Sequence, residues 1–262
     1  MDRITAFMIV RDEERMLPRC LDSLVGVADE LAILDTGSVD GTPALIEKEA
    51  AAGRFERVSW ERHAWRGFGT ARRASLALVE TEWALLLDAD EALSPELRDS
   101  LLALRAGGGL GEHDGYWFNR ANRVLGHRMK GCKLADNPGL RLFRTGRVHF
   151  TEAKVHEGIY LDEGCTTAHL AGPLDHEAMV SWRDYLKKVD RYTSLDVAQS
   201  DRGFNPLHML ATGPLVFIKQ YVFRRGLLDG WPGFVWSLTS AWSVTLRDWK
   251  RWQKSRGKDF QT

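Results

Sequence analysis

The chain has 262 residues, 44% of them apolar, enough for one large domain or a domain with an appendage. Its 36 basic and 36 acidic residues cancel, so net charge points to no partner. Three cysteines, Cys20, Cys132 and Cys165, form an odd set without paired spacing, which argues against a disulfide framework or a zinc site and reads as reduced cytosolic thiols.

An apolar strand pattern begins by Ile4, with no signal-peptide layout before it. Ile4 to Val10 reads as a buried strand ended by Arg11-Asp12-Glu13-Glu14. A helix starts near Leu17-Pro18 and puts Leu17, Leu21, Leu24 and Val25 on one face. Glu30 to Leu34 is a second strand. It runs into Asp35-Thr36-Gly37-Ser38-Val39-Asp40-Gly41, a loop of small residues and acids, and Thr42-Pro43 opens the next helix. Phe55 to Trp60 is a third strand. A loop with His63, Trp65, Arg66 and Gly67 leads to a helix from about Thr70 to Val79. Trp83 to Leu87 is a fourth strand, buried on both faces by its unbroken apolar run, and it ends in Asp88, Asp90 and Glu91. Ser94-Pro95 then caps a helix.

Strands alternating with helices over short links predict an α/β fold with a mostly parallel sheet flanked by helices. All four acid-bearing or basic loops lie at strand carboxyl ends, where such sheets bind ligands. No G-x-G-x-x-G follows the first strand and no G-x-x-x-x-G-K occurs. A bound nucleotide would therefore depend on acids and a metal. Asp88 and Asp90 can share a hard cation, Mg²⁺ or Mn²⁺, and such a cation can neutralise a diphosphate. A solvated polar strand end is the alternative.

After a glycine-rich link at 107–111, the pattern changes to short strands: Gly115 to Val124, Met129 to Lys133, Leu140 to Arg144, Val148 to Phe150, Lys154 to Tyr160 and Thr166 to Leu170. A helix from Ser181 to Val197 follows, with Ser181 and Asp184 spaced as a capping box. The expected domain is thus 1–200, made of a parallel-sheet half (1–105) and a mixed-strand half (112–200), with a helical segment at 204–262. From Phe204 onward nine Lys/Arg face three Asp/Glu, and five of the ten tryptophans lie there. The longest uncharged run, Gly230 to Leu246, has 17 residues with two glycines and a proline, short for a membrane span. Two helices are expected, about Leu207 to Arg224 and Trp231 to Trp252. The second shows Phe234, Leu238, Trp242, Thr245 and Trp249 on one side, with Arg247, Lys250, Arg251 and Lys254 at its end. That combination suits a bilayer surface; packing on the protein with a solvated basic end is the alternative.

These residues resemble the inverting family 2 glycosyltransferases of the GT-A fold, and within them the bacterial lipopolysaccharide core β-glucosyltransferases. The resemblance rests on Val10-Arg11-Asp12-Glu13-Glu14, Leu34 to Thr42, Trp83 to Glu91, Arg141-Leu142-Phe143-Arg144, Val155-His156-Glu157, His176 and Tyr185-Leu186-Lys187-Lys188 with Arg191-Tyr192. It ends with Arg225-Gly226-Leu227-Leu228-Asp229-Gly230-Trp231-Pro232-Gly233, specific to the subgroup. Arg11 and Arg73 depart from the usual Lys and Asn; neither removes a carboxylate.

The resemblance implies that residues 1–105 form a nucleotide-sugar half and 112–200 an acceptor half. Arg11, Glu13, Asp35, Ser38, Asp40, Arg66, Arg73 and Asp88 would bind the donor. Asp90 would be the stronger metal ligand, with Asp88 reaching the ribose or the metal, and His176 a third ligand or a phosphate contact. An inverting displacement needs a base for the acceptor hydroxyl; Glu157 is the first choice, Glu152 and Asp175 the others. His156 would orient Glu157 or bind phosphate. Arg141 and Arg144 share a strand and are read as facing one side, toward donor diphosphate or an anionic acceptor. The implied activity is transfer of a hexose, by default from UDP-glucose, to a lipid-linked saccharide at the inner face of the cytoplasmic membrane. A sugar nucleotidyltransferase would carry a glycine-rich basic loop after the first strand, absent here. A binding protein without turnover is the other alternative. No nucleic-acid reading motif accompanies the basic residues.

Overall fold

The computed structural model describes residues 2–135, 137–150, 158–200 and 202–260. The first strands are β1 (Ile4–Val10), β2 (Glu30–Asp35), β3 (Arg57–Arg62) and β4 (Trp83–Leu86). β1 pairs parallel with both β2 and β4, and β2 pairs parallel with β3. Helices α1 (Leu17–Leu24), α2 (Thr42–Ala52) and α3 (Phe68–Leu76) connect them. The sheet continues through β5 (Glu91–Leu93), β6 (Gly115–Val124), β7 (His127–Arg128), β8 (Asn137–Arg144) and β11 (Thr167–Met179), with helix α4 (Pro95–Ala106) between β5 and β6. Its order is β3-β2-β1-β4-β8-β6-β11-β5, with β7 on β6. β8 runs antiparallel to β4, and β11 antiparallel to β5. A separate two-stranded sheet pairs β9 (Val148–Phe150) with β10 (Ile159–Leu161). The α/β class, the parallel first half and the mixed second half are as expected.

The chain divides into two compact units, residues 1–120 with 138–176, and 121–137 with 177–262. This differs from the expected boundary near residue 200: helix α5 (Trp182–Gln199) and the β6–β7 turn fall with the tail.

In the first unit, β1 and β4 are buried on both faces, as their unbroken apolar runs predict. Ile4, Ala6, Met8, Trp83 and Leu85 join one core; Phe7, Ala84 and Leu86 join the other. Pro18 sits in the first turn of α1, and Leu17, Cys20, Leu21 and Leu24 form its buried stripe. Ser94 caps α4 by accepting from Leu97 N at 3.1 Å. Two features are absent from the sequence expectation. β5 is a three-residue strand, and β11 runs far beyond Leu170, through Gly172-Pro173 to Met179. Gly172 has φ +91°, and a Cβ there would lie 2.3 Å from Leu97 N. This close approach sets β11 against the start of α4. It fixes the register that places His176 opposite Glu91.

In the second unit, α5 begins at the expected cap, Ser181 Oγ accepting from Asp184 N at 3.1 Å. Helix α6 (Pro206–Ile218) passes into a π-helical turn at Lys219–Phe223, where one helix to Arg224 was expected. Helix α7 runs Gly230–Ser255. The expected strand Met129 to Lys133 is instead an irregular segment. Asp229, fully buried, accepts from Lys130 N and Gly131 N at 2.7 Å each. A Cβ on Gly131 would meet Arg225 O at 2.3 Å, and one on Gly233 would meet Gly226 O at 1.9 Å. The Arg225–Gly233 motif is therefore a tightly packed knot that admits only glycine at these contacts.

Gly172→Ala should lower stability by about 2 kcal/mol or more, because it combines positive φ with a backbone clash. Gly164→Ala has the same sign of φ but meets no atom within 4 Å, so it should cost about 1 kcal/mol. Urea denaturation midpoints of the two variants check the difference.

Candidate active site

The site lies at the carboxyl ends of β1, β2 and β4, all within the first unit. Two residues beyond β4, Asp88 is surrounded by guanidinia from three elements. Arg72 of α3 donates to Asp88 Oδ1. Arg120 of β6 and Arg141 of β8 stand 3.5 and 3.9 Å from Oδ2. Glu91, buried at 1% exposure, takes Arg120 Nη2 at 2.5 Å and Arg141 Nη2 at 2.8 Å on Oε1, while its Oε2 accepts from Asp88 N at 2.9 Å. Burial pushes the Asp88 carboxyl up, but Arg72, Arg141 and Arg120 outweigh it and hold it well below the usual carboxylate range. Glu91 goes the other way: burial and the Asp88 charge raise it against the pull of Arg141 and Arg120. The Cys20 thiol, whose Sγ lies 3.6 Å from Asp88 O, is pushed well up by burial and by these acids, so it stays protonated.

Asp90 is placed differently. Its Oδ2 lies 3.4 Å from His176 Nε2, and the two side chains are 16% and 15% exposed. An oxygen and a nitrogen donor at the solvent edge suit a divalent cation whose remaining positions are filled by water or substrate phosphate. Among the described residues no group of three or more His, Cys, Asp or Glu side chains is arranged to hold a metal. Asp88, expected to share the cation, instead turns both oxygens to arginines. Asp175, the neighbour of His176, faces Arg19 at 3.7 Å.

The Asp35 loop is built on its own carboxylate. Asp35 has no exposed surface, and its Oδ1 accepts from Ser38 N and Ser38 Oγ at 2.8 Å and Gly37 N at 3.0 Å. Its Oδ2 is buried and accepts no hydrogen bond from the described residues, with Arg62 Nε 3.6 Å away. Such an acceptor is costly to leave unmade and suits an N–H from a ligand. Two neighbours of Asp35, Leu34 and Thr36, line a cavity of about 350 Å³ together with His63, Ala64, Arg66 and Thr70. Arg11, at the end of β1, keeps a buried Nε without a hydrogen-bond partner among the described residues.

Other expected donor residues have local partners. Ser38 Oγ accepts from Asp12 N at 3.0 Å. Asp40 accepts from Thr42 N at 3.0 Å and Glu14 N at 3.1 Å, and these bonds hold its carboxyl below the usual range against partial burial. Glu13 N donates to Thr42 Oγ1 at 2.8 Å. Ser38 and Asp40 therefore join the first loop to the second.

Arg73 is exposed on α3, and its neighbour Arg72 is the one buried against Asp88. One reading needs correction. Arg141 and Arg144, three residues apart, face opposite sides of an alternating strand. Arg144 packs 4.8 Å over the Trp83 ring and pairs with Glu82 and Asp114, at the far end of β4. Arg72 and Arg120 were not anticipated. Arg120 shared a readable signal, since it alternates with Tyr116 and Phe118 on one strand face. Glu152, His156 and Glu157 lie outside the described residues.

Residues 5–111 match the family Glycosyl transferase family 2. The lipopolysaccharide core biosynthesis glycosyltransferase LpsC of Rhizobium meliloti (strain 1021) is 32% identical over 256 residues, covering 96% of this chain and 92% of that protein. An uncharacterized glycosyltransferase of Rickettsia felis is 24% identical over 260 residues, 94% of this chain and 88% of that one. Among solved structures, S. aureus TarS 1–349 in complex with UDP superimposes with a TM-score of 0.47 at 15% identity, over 99% of this chain and 93% of that chain. Identity to LpsC along nearly the whole of both chains, with the family match over the strand–helix half that carries Asp35, Asp88 and Asp90, decides the matter: the chain belongs to glycosyltransferase family 2 and is a glycosyltransferase with an α/β fold.

Proposed function

We propose that this enzyme moves a hexose, by default from UDP-glucose, to a lipid-linked saccharide such as the lipopolysaccharide inner core, with inversion and with Mg²⁺ or Mn²⁺. The observation that carries the reading is the division of labour at the end of β4: Asp88 is held by three arginines, and Asp90 is turned to His176 at the solvent edge. Asp90 and His176 would hold the cation, which supplies positive charge to the departing diphosphate. The cavity beside Asp35 suits the nucleoside: apolar Leu34, Ala71 and Ala74 would face the base, and Asp35 Oδ2 would accept its N–H. Arg66, and Arg11 with its unsatisfied Nε, would line the donor pocket. Glu157 remains the proposed base, and His156 would orient it or bind phosphate. The acceptor class rests on the likeness to LpsC, whose name assigns it to lipopolysaccharide core biosynthesis.

The arginine cluster would fix Asp88 as an ionised, immobile acceptor for the donor's ribose. Arg72 and Arg120 are in this view positioning residues. Arg141, 7% exposed, joins Asp88 and Glu91.

Asp90→Ala should reduce hexose transfer at least about a thousandfold and remove the metal-dependent part of donor binding. The check is thermal stabilisation by UDP-, GDP-, ADP- and dTDP-sugars, each with Mn²⁺ or chelator. A donor shift in Asp90→Ala that still needs Mn²⁺ would sink the metal assignment. Arg141→Met, which leaves Glu91 a buried carboxylate with one arginine fewer, should cost about 3 kcal/mol. Adding Glu91→Gln to Arg141→Met should recover part of that loss in chemical denaturation.

A further inference from the structure

Helix α6 is reversed in polarity relative to an ordinary surface helix. Its packed side is narrow: a Cβ on Gly213 would meet Thr245 Oγ1 of α7 at 2.6 Å, and Phe217 contacts Phe234 edge-on at 5.7 Å between centroids. Its solvent side carries Leu207, Leu210, Leu215 and Ile218, spaced i, i+3, i+8 and i+11, a single stripe of an α-helix. Leu207, Leu210 and Leu215 are 76%, 70% and 63% exposed, and Phe223 in the following π turn is 78% exposed. So many large apolar side chains on one exposed face mark an interaction surface.

Charge selects the occupant. Between Arg202 and Leu228 the chain has no Asp or Glu and four basic residues, Arg202, Lys219, Arg224 and Arg225. Lys219 and Arg225 are exposed and follow directly on the stripe. A second copy of this chain, meeting face to face, would set these like charges together with no acid in the segment to answer them. An anionic bilayer answers both features: acyl chains receive the leucines, and headgroup phosphates meet the basic end. Among the described residues no helix is long and apolar enough to cross a membrane, so the fitting geometry is a helix lying in the interface.

We infer that α6 and the Lys219–Phe223 turn form a docking face for an anionic membrane surface. This replaces the basic end of α7 expected from sequence, because those residues are otherwise engaged. Lys250 Nζ bonds Asp190 O, Thr193 Oγ1 and Ser194 Oγ at 2.5–2.9 Å, and Lys254 Nζ takes the Val197 and Ser200 carbonyls at 2.8 and 3.1 Å. The inference deepens the lipid-linked-acceptor reading and rests on it for its biological sense.

The test is co-sedimentation of the full chain with vesicles of phosphatidylcholine alone or with added phosphatidylglycerol, alongside light scattering for oligomeric state. Wild type should bind the phosphatidylglycerol vesicles more tightly. Leu210→Glu/Phe223→Glu should weaken that binding at least about tenfold, about 1.4 kcal/mol, and Lys219→Gln about fivefold. Both variants should keep wild-type circular dichroism, since all three side chains are exposed. No vesicle binding by wild type, or binding unchanged in the double variant, overturns the proposal. So does a wild-type dimer that the double variant converts to monomer. The metal-dependent donor shift is read on the same samples. Its survival in a chain that ignores vesicles would defeat this inference alone, and its absence in a chain that binds them would defeat the donor-site reading alone.

Discussion

Three guanidinium groups converge on two carboxylates at the end of β4, and the rest of the first unit serves to bring them there. Arg72 arrives from a helix, Arg120 and Arg141 from two neighbouring strands. Each arginine buried alone would cost several kcal/mol, as would each acid. Together they fix how α3, β6 and β8 meet the end of β4. A mixed sheet is what makes this possible. A purely parallel sheet would surround β4 with strand ends of one polarity, whereas antiparallel β8 brings Arg141 from the other direction. The same arrangement separates the two aspartates chemically. Asp88 is screened by arginines, while Asp90 meets a histidine on a strand positioned by Gly172.

The second unit is held by a different logic, in which buried charges satisfy backbone ends. The last turn of α5 leaves carbonyls without helical partners, and Lys254 of α7 supplies donors to them, while Lys250 bonds Asp190, Thr193 and Ser194 one to two turns earlier. Arg251 pairs with Asp248 and Asp196 in the same layer. Asp229 does the converse for the segment after β7, accepting from two backbone amides. The glycines around it exist to let main chain touch main chain. The Arg225–Gly233 motif therefore has a structural explanation that needs no ligand.

Much of this was legible in the chain. Strands buried on both faces announce themselves as unbroken apolar runs, and Asp35, Asp88 and Asp90 follow those runs at the strand ends. What escaped was information held between elements. Arg72 and Arg73 differ by one helical step, and only the phase of α3 decides which is buried. β5 has three residues and is defined by its pairing with β11. β11 itself is interrupted by Gly172-Pro173, a pair that reads as a turn until the close contact with α4 is known. The basic end of α7 was misassigned because a four-residue spacing of lysines suits a helix clamp as well as a lipid surface.

The clamp also dictates when the second unit can exist. Lys250 reaches a partner 60 residues earlier, and Asp229 ties down amides 98 and 99 residues before it. These are long loops to close, and non-local closure slows folding. During synthesis α5 and the β6–β7 turn leave the ribosome well before their partners do. This half of the enzyme must therefore assemble after α7 has been made, while the first unit, completed by residue 176, can already be in place. The apolar side of α6 is uncovered throughout that interval, so a newly made chain presents its stickiest helix before its fold is finished.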